Sequence, residues 1–438
     1  MFEQIGTVLS EMIRIPTVSG AGNEEQYRIG EYRECLRKNF PELFAAAKEY
    51  PIGEARLLKL TAAGRAGRPV LFTGHMDVVP ADGSTWIQEP FSGKIEDGCV
   101  WGRGSQDMKG PQCALLSAVN ELLKEGWRPE REIWFYLSCD EETGGQTTER
   151  AADFLKERGV QFETVFDEGG TICENFMGLL PERAAMFGIA EKGSFEYRFT
   201  AYGRGGHAAN PPKDSAIVRL AELVTELEET DIFVRRLSEG NRMMLREIAR
   251  SAETEESCRI ALAAEEQEAG YPLLHEICPE ADQLLGTTIA FTMIEGGSAF
   301  NVMPKKAVLT ANVRVSSVEG EKEVTEKLKA LAARHDIVCE LTGGRDAAPE
   351  GGVDGNGYQA MKASVEAVYP GLKVIPFVLA GGTDSRHFLE LTDEVLRFSP
   401  MYAAPHQGRG VHGENESAYI SAVADAARCY YTLLKEHL

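Results

Sequence analysis

Two short apolar runs bounded by turn residues stand out early in the chain, Pro69-Val-Leu-Phe-Thr73 and Glu132-Ile-Trp-Phe-Tyr-Leu-Ser138. Runs of this length predict buried strands. Between them Leu115, Ala118, Val119 and Leu122 recur at helical spacing, which predicts a helix over 111–125 stopped by Gly126. Strand, helix and strand in that succession predict a mainly parallel sheet covered by helices.

Near Ile189 the texture changes. From Ser194 to Tyr202 the aromatic residues Phe195, Tyr197 and Phe199 alternate with Glu196, Arg198 and Thr200, the period of a half-exposed antiparallel strand. A helix follows with Ile217, Leu220, Ala221, Val224 and Leu227 on one stripe. Strands at 287–294 and 307–315, a helix near 322–333 and a strand at 337–341 complete a β-α-β-β-α-β order, which suggests a small ferredoxin-like sheet. The α/β texture returns with an apolar strand at 374–379 and a final helix after Glu416. The expected organisation is an α/β catalytic domain over 1–189 and 346–438, interrupted over 190–345 by an inserted α+β domain. Its stretch 231–285 is helical, charged and longer than such a sheet requires, and no role is assigned to it.

Length supports the division, because 438 residues exceed one ordinary core. A formal net charge of −22, spread along the chain, repels phosphate backbones and anionic surfaces and argues against nucleic-acid or membrane partners. Nine scattered cysteines without CxxC spacing argue against a disulfide framework and against thiolate-ligated zinc. No apolar run reaches the roughly 18 residues of a membrane span, and the first residues lack a signal pattern. A cytoplasmic enzyme is the expectation.

Candidate chemistry sits after the core elements. In Thr73-Gly-His75-Met-Asp77, His-x-Asp at a strand end puts both side chains on one side, at the edge where α/β proteins bind ligands. His75 then offers one ring nitrogen to a metal while Asp77 holds the other. A hydrogen-bonded structural histidine is the competing reading. In Gly102-Arg-Gly-Ser-Gln-Asp107, glycines before a helix let the backbone present Asp107 to a site, although a lone acid there also reads as a helix cap. Asp140-Glu141-Glu142 precedes Gly-Gly after an apolar strand, and adjacent carboxylates repel unless a cation or proton separates their roles. Asp167-Glu168-Gly-Gly repeats the strand-then-acid arrangement, and His412-Gly-Glu414-Asn415-Glu416 precedes the terminal helix. Nitrogen and oxygen donors without thiolates suit Zn²⁺, with Mn²⁺ or Co²⁺ as substitutes.

Together HxDVVP, GRGSQDMKG, DEETGG, DEGG, GGHAANPP, GGTDSRHF and HGENE resemble the M20 metallopeptidase family, in that family's order and through nearly the whole chain. The family holds aminoacylases, succinyl-diaminopimelate desuccinylases and the carboxypeptidase S group, and the last is nearest in look. The resemblance implies a zinc-peptidase-like catalytic domain with an inserted lid and dimerisation domain. It implies two Zn²⁺, one on His75 and Glu168, the other on Glu142 and His412, with Asp107 bridging. Asp167 is a minor alternative to Glu168. Glu141 is then the general base acting on a metal-bridging water, and Asp77 orients His75. The resemblance also implies a cis peptide after Asp107. His207 is expected to reach the partner subunit's site and stabilise the oxyanion, so a homodimer through the lid is implied, with Asn301 in a similar task. Arg386 and Thr383 are expected to grip the substrate carboxylate and carbonyl region, with Arg314 a weaker candidate.

Two substrates share every one of these residues. One is a short peptide releasing its C-terminal amino acid, which the carboxypeptidase S look puts first. The other is an N-acyl amino acid. A non-catalytic metal-binding scaffold, the third reading, predicts loss of the base or a ligand, and none is lost.

Overall fold

The computed structural model describes residues 2–20, 22, 25–64, 67–251, 254–266, 270–279, 281 and 285–438. Contacts divide the chain into two compact units. Unit 1 is Met1–Ile189, Gly351–Phe377 and Thr383–Leu438; unit 2 is Ala190–Glu350 and Val378–Gly382.

Unit 1 is built on a nine-stranded mixed sheet. At its centre Val70–His75 runs parallel to Ile133–Ser138 on one side, with Val70 beside Ile133 and His75 beside Ser138. On the other side it runs parallel to Val165–Asp167, which in turn lies parallel to Val395–Arg397. Antiparallel strands Lys48–Ile52 and Ala55–Leu60 extend one edge. Val70–His75 and Ile133–Ser138 are buried at every residue, which is why they read as unbroken apolar runs. Phe72 stacks between Phe135 and Phe166, with ring centroids 5.7 and 4.8 Å away, and closes the middle of the sheet. Truncating such a ring to alanine costs about 3–5 kcal/mol.

The helix after Asp107 spans Lys109–Lys124, starting two residues before the predicted position 111. It ends where the sequence places its stop. Gly126 takes φ +86°, and the amides of Gly126 and Trp127 return to the carbonyls of Leu123 and Leu122, satisfying two orphan acceptors. A small three-stranded sheet pairs Cys99–Trp101 with both Lys94–Glu96 and Ser417–Tyr419, bringing the last motif beside Gly102–Asp107.

Unit 2 carries a four-stranded antiparallel sheet. Its order is Thr288–Gly296, Lys306–Val315, Gly193–Tyr202 and Ile337–Arg345. Helices Ala216–Glu229 and Glu321–Arg334 follow the first and third strands in chain order, giving the β-α-β-β-α-β succession. Phe195, Tyr197, Phe199, Leu309 and Val313 of the sheet pack with Leu220, Leu223, Leu328 and Leu331 of these helices. The additional stretch holds helices Glu239–Ala249, Glu255–Glu265 and Gly270–Ile277, while 252–253, 267–269, 280 and 282–284 lie outside the described residues.

Candidate metal centre

Three parallel strands end on the same edge of unit 1, and their C-terminal ends deliver His75, the 140–142 acids and Glu168. The loop before the helix Lys109–Lys124 delivers Asp107, and the turn before Ser417–Tyr419 delivers His412. These residues converge. Asp107 divides its carboxylate between two histidines, Oδ1 at 2.9 Å from His75 Nε2 and Oδ2 at 3.1 Å from His412 Nε2. Glu168 Oε1 lies 3.2 Å from the same His75 nitrogen, and Glu142 Oε2 lies 3.1 Å from the same His412 nitrogen. Each histidine thus meets one private carboxylate and one half of a shared one. The Asp107–Met108 peptide is cis.

Asp77 lies against the Nδ1 edge of the His75 ring. His75 Nδ1 meets the Asp77 main-chain carbonyl at 2.9 Å, while the nearer carboxylate oxygen stands at 3.6 Å. The carboxylate instead accepts the amides of Glu141 at 3.3 Å and Glu142 at 3.2 Å. One residue therefore sets the His75 ring through its backbone and the 141–142 turn through its side chain. Asp167 turns away from the cluster. Its Oδ2 accepts the Ser385 amide at 2.8 Å, leaving Glu168 to face His75.

The electrostatics are those of crowded acids. Burial disfavours charge on Glu141 and, with Glu168, Asp384 and Glu142 adding to it against the opposing His75, pushes its carboxyl up to about 10. Burial and then Asp107 push Glu168 to about 8. Hydrogen bonds to Asp107 and Glu142 raise His412 to about 10. Burial opposes charge on His75, yet Glu168, Asp107 and Asp77 together hold the ring protonated well above its ordinary range. Burial opposes charge on Asp107 as well, and the two imidazoles override it and keep the carboxyl far below the usual range.

The donor set fits divalent cations. Protons here hold together carboxylates that would otherwise repel, and ligand sets of this kind exchange protons for metal. His75, Asp107 and Glu142 form one set of donor atoms within 4.8 Å of one another, and His75, Glu141 and Glu168 form another. Glu142 Oε1 is buried without a hydrogen-bond partner among the described residues, an arrangement that is costly unless a cation relieves it. Nitrogen and carboxylate donors suit zinc and its near substitutes.

Arg386 spends its guanidinium on the main-chain carbonyls of Thr383, at 2.9 Å, and Gly144, at 3.1 Å. It has no ion pair with a carboxylate among the described residues. Thr383 Oγ1 meets Ser385 Oγ at 2.6 Å. Gly145, at φ +66°, is crowded by the same segment: a Cβ there would stand 2.6 Å from Asp384 Oδ1. In unit 2, Gly206–His207 pairs with Val302–Met303, and the Ala208 amide donates to the Asn301 carbonyl at 3.0 Å, so His207 and Asn301 share one ribbon. His207 is exposed, with Nδ1 accepting the Ala209 amide at 3.1 Å. Arg314 lies on the sheet, its Nε donating to Asn312 Oδ1 at 2.9 Å.

Two residues without an assigned role in the sequence reading lie against this cluster. Glu416 is fully buried and accepts the amides of Gly104, Gln106 and Asp107, and Arg103 pairs with it at 2.7 Å. The only sequence signal is that each sits inside a motif already singled out. Loop residues lack the periodicity that exposes core positions.

Residues 71–436 match the peptidase family M20/M25/M40. The chain is 29% identical over 441 residues to the human N-fatty-acyl-amino acid synthase/hydrolase PM20D1, covering 98% of this chain and 86% of that one. It is 30% identical over 427 residues to the mouse protein of the same name, covering 95% and 84%. A probable carboxypeptidase S-like 2 of Dictyostelium discoideum is 28% identical, covering 92% and 79%. The fold is shared with the M20 family metallo-carboxypeptidase Sso-CP2 of Sulfolobus solfataricus, at TM-score 0.74 and 20% identity over 100% of this chain and 99% of that one. The match through both motif-bearing ends of the chain shows that it belongs to the peptidase family M20/M25/M40 and is a hydrolase of that metallopeptidase family.

Proposed function

We propose that the protein hydrolyses the amide bond on the amino side of an amino acid with a free carboxylate, using two divalent cations. The observation that carries this reading is the divided Asp107 carboxylate, one oxygen facing His75 and the other His412. His75, Asp107 and Glu168 would hold one cation, and Asp107, Glu142 and His412 the other. Bound there, Zn²⁺ would polarise the scissile carbonyl and lower the pKa of a water. Glu141, held at its amide by Asp77, would take a proton from the attacking water as its oxygen bonds to the scissile carbonyl carbon, and would return it to the departing amine as the C–N bond breaks. Arg386 and Thr383 bind the carboxylate end of the substrate, with Arg314 secondary.

Unit 2 acts in this reading as the lid and dimerisation domain. Thr288–Gly296 is an edge strand carrying Met293 and Ile294, 59% and 69% exposed, with Ile217 of the neighbouring helix 45% exposed. Such an apolar edge is a liability unless another chain covers it, which supports a homodimer. His207 of one subunit, with Asn301, then stabilises the oxyanion in the other.

The favoured substrate is an N-acyl amino acid. The names of the human and mouse relatives support it. So do two exposed apolar side chains at the His412 turn: Val411 is 38% exposed, and Ile87, 72% exposed, is tied to the turn by a 2.6 Å bond from its amide to Asn415. An acyl pocket needs such walls, whereas the α-ammonium of a dipeptide needs an acid. The peptide remains the second reading, supported by the carboxypeptidase S-like relative. The test is to incubate zinc-loaded protein with N-palmitoyl-Leu, N-acetyl-Leu and Gly-Leu, and to measure released leucine with and without a chelator. Chelator-sensitive release from the acyl substrates supports the first reading, and release from Gly-Leu alone moves the assignment to a peptidase. No release from any of them refutes both substrates.

A further inference from the structure

Glu416 and Arg103 form a buried ion pair behind the cluster, and every side-chain hydrogen bond they make goes to the segment carrying Asp107 or to the turn carrying His412. Glu416 Oε1 accepts the amides of Gln106 at 2.7 Å and Asp107 at 3.1 Å. Its Oε2 accepts the Gly104 amide at 2.9 Å and Arg103 Nη1 at 2.7 Å. Four donors saturate a carboxylate, so Glu416 has nothing left to offer a cation itself. Arg103 is 3% exposed and reaches the other way. Nη2 donates to the Gly413 carbonyl at 2.7 Å and Nη1 to the Gly410 carbonyl at 3.3 Å, one on each side of His412. His412 itself holds φ +55°, a left-handed conformation that few non-glycine residues adopt.

A buried ion pair is poor evidence for added stability, since desolvating two charges offsets most of their attraction. Here its bonds fix a distance instead. The Asp107 amide hangs on the carboxylate and the His412 turn on the guanidinium, so the pair sets the spacing between the shared carboxylate and the second histidine. His75 and Glu168 lie outside this arrangement, on strand ends of the central sheet.

We propose that Glu416 and Arg103 are positioning residues that pre-form the second cation position, that of Asp107, Glu142 and His412, before any cation arrives. This rests on the two-cation reading above. Its consequence is asymmetric. Loosening the pair disturbs two ligands of the second position, but only the shared one of the first, which keeps His75 and Glu168.

The test strips the full-length protein with a chelator and titrates Zn²⁺ back by calorimetry into wild type, Arg103→Lys and Glu416→Gln. Arg103→Lys keeps a positive charge against Glu416 but loses the planar fork that spans two carbonyls. Wild type is expected to take up two cations per chain. Each variant is expected to bind the second cation about 10–100-fold more weakly, the usual effect of removing an outer partner of a ligand, and the first within a few-fold of wild type. Variants that bind both cations as wild type does, or that weaken both equally, overturn the proposal. Wild type taking up fewer than two overturns the two-cation reading beneath it. A measurement on the wild type alone covers variants that fail to fold: amide exchange at Gly104, Gln106 and Asp107 should stay slow in the metal-free protein. Exchange at unprotected rates there would show that the loop is not pre-formed.

Discussion

Replacing Glu141 by glutamine separates proton transfer from everything else this residue does. The glutamine has the same length and volume, and the main-chain bond to Asp77 at 3.3 Å does not involve the side chain. Without cations the Glu141 carboxyl is pushed up to about 10, so it is already neutral at pH 7 and an amide mimics it. Stability should therefore change by less than about 1 kcal/mol, a shift of at most a few degrees in Tm. Cation uptake should stay at two per chain, because neither proposed ligand set requires Glu141. What is lost is the proton acceptor, about 10²–10⁴-fold in rate. At 1.36 kcal/mol per tenfold that is about 3–5 kcal/mol of barrier. Because the interaction exists only in the transition state, kcat and kcat/KM should fall together while KM holds. The assay is initial-rate leucine release across a substrate series, with metal content measured on the same sample. A kcat within tenfold of wild type would refute Glu141 as the base. Loss of a cation in step with activity would make it a ligand instead.

Metal-free protein should lose stability as pH rises from about 5 to 8, measured as Tm in chelator. Glu141 and Glu168 have folded pKa values of about 10 and 8, above the unfolded 4.5, so the unfolded chain sheds protons that the folded chain retains, and rising pH favours unfolding. His412 acts in the same direction above its unfolded 6.5, its contribution lost as pH climbs through about 10. A Tm that rises over this window would contradict the clustering of these groups. His207→Ala should cripple turnover, and mixing it with Asp107→Ala should restore part of the activity through hybrid dimers with one intact site. No recovery despite proven subunit exchange would count against a shared site. Arg386→Lys should raise KM by about 10–100-fold with kcat less affected, since a bidentate grip on a carboxylate is worth about 1.5–3 kcal/mol; an unchanged KM would remove Arg386 from the substrate site.

The elements legible in the sequence are those whose burial repeats locally. Val70–His75 and Ile133–Ser138 are buried at every position, and the alternating Phe195, Tyr197 and Phe199 all face the core of unit 2. The three-residue strands Lys94–Glu96, Cys99–Trp101 and Ser417–Tyr419 are too short to show a period, and the long-range pairing that makes them strands leaves no local trace. The same divide runs through the site. Ligand candidates were readable because histidines and acids follow strand ends in motifs. The use of Asp77 as the acceptor for two amides depended on the fold, because which atom of a residue meets which neighbour is set by the loop path.

The pairing of Arg103 with Glu416 joins residues 313 positions apart, and this has a consequence for biosynthesis. A ribosome adding about 5–20 residues per second needs roughly 15–60 s to make the intervening chain. Throughout that interval the strand Cys99–Trp101 and the Asp107 loop wait with one edge open, while unit 2, nearly contiguous in the chain, has all but five of its residues once Glu350 is made and can compact first. A nascent chain released before the final segment would carry His75, Asp107, Glu142 and Glu168 but neither His412 nor the carboxylate that holds the loop. Premature termination late in the message would therefore yield a polypeptide with most of its core and all but one of its candidate cation ligands, a product for quality control to remove.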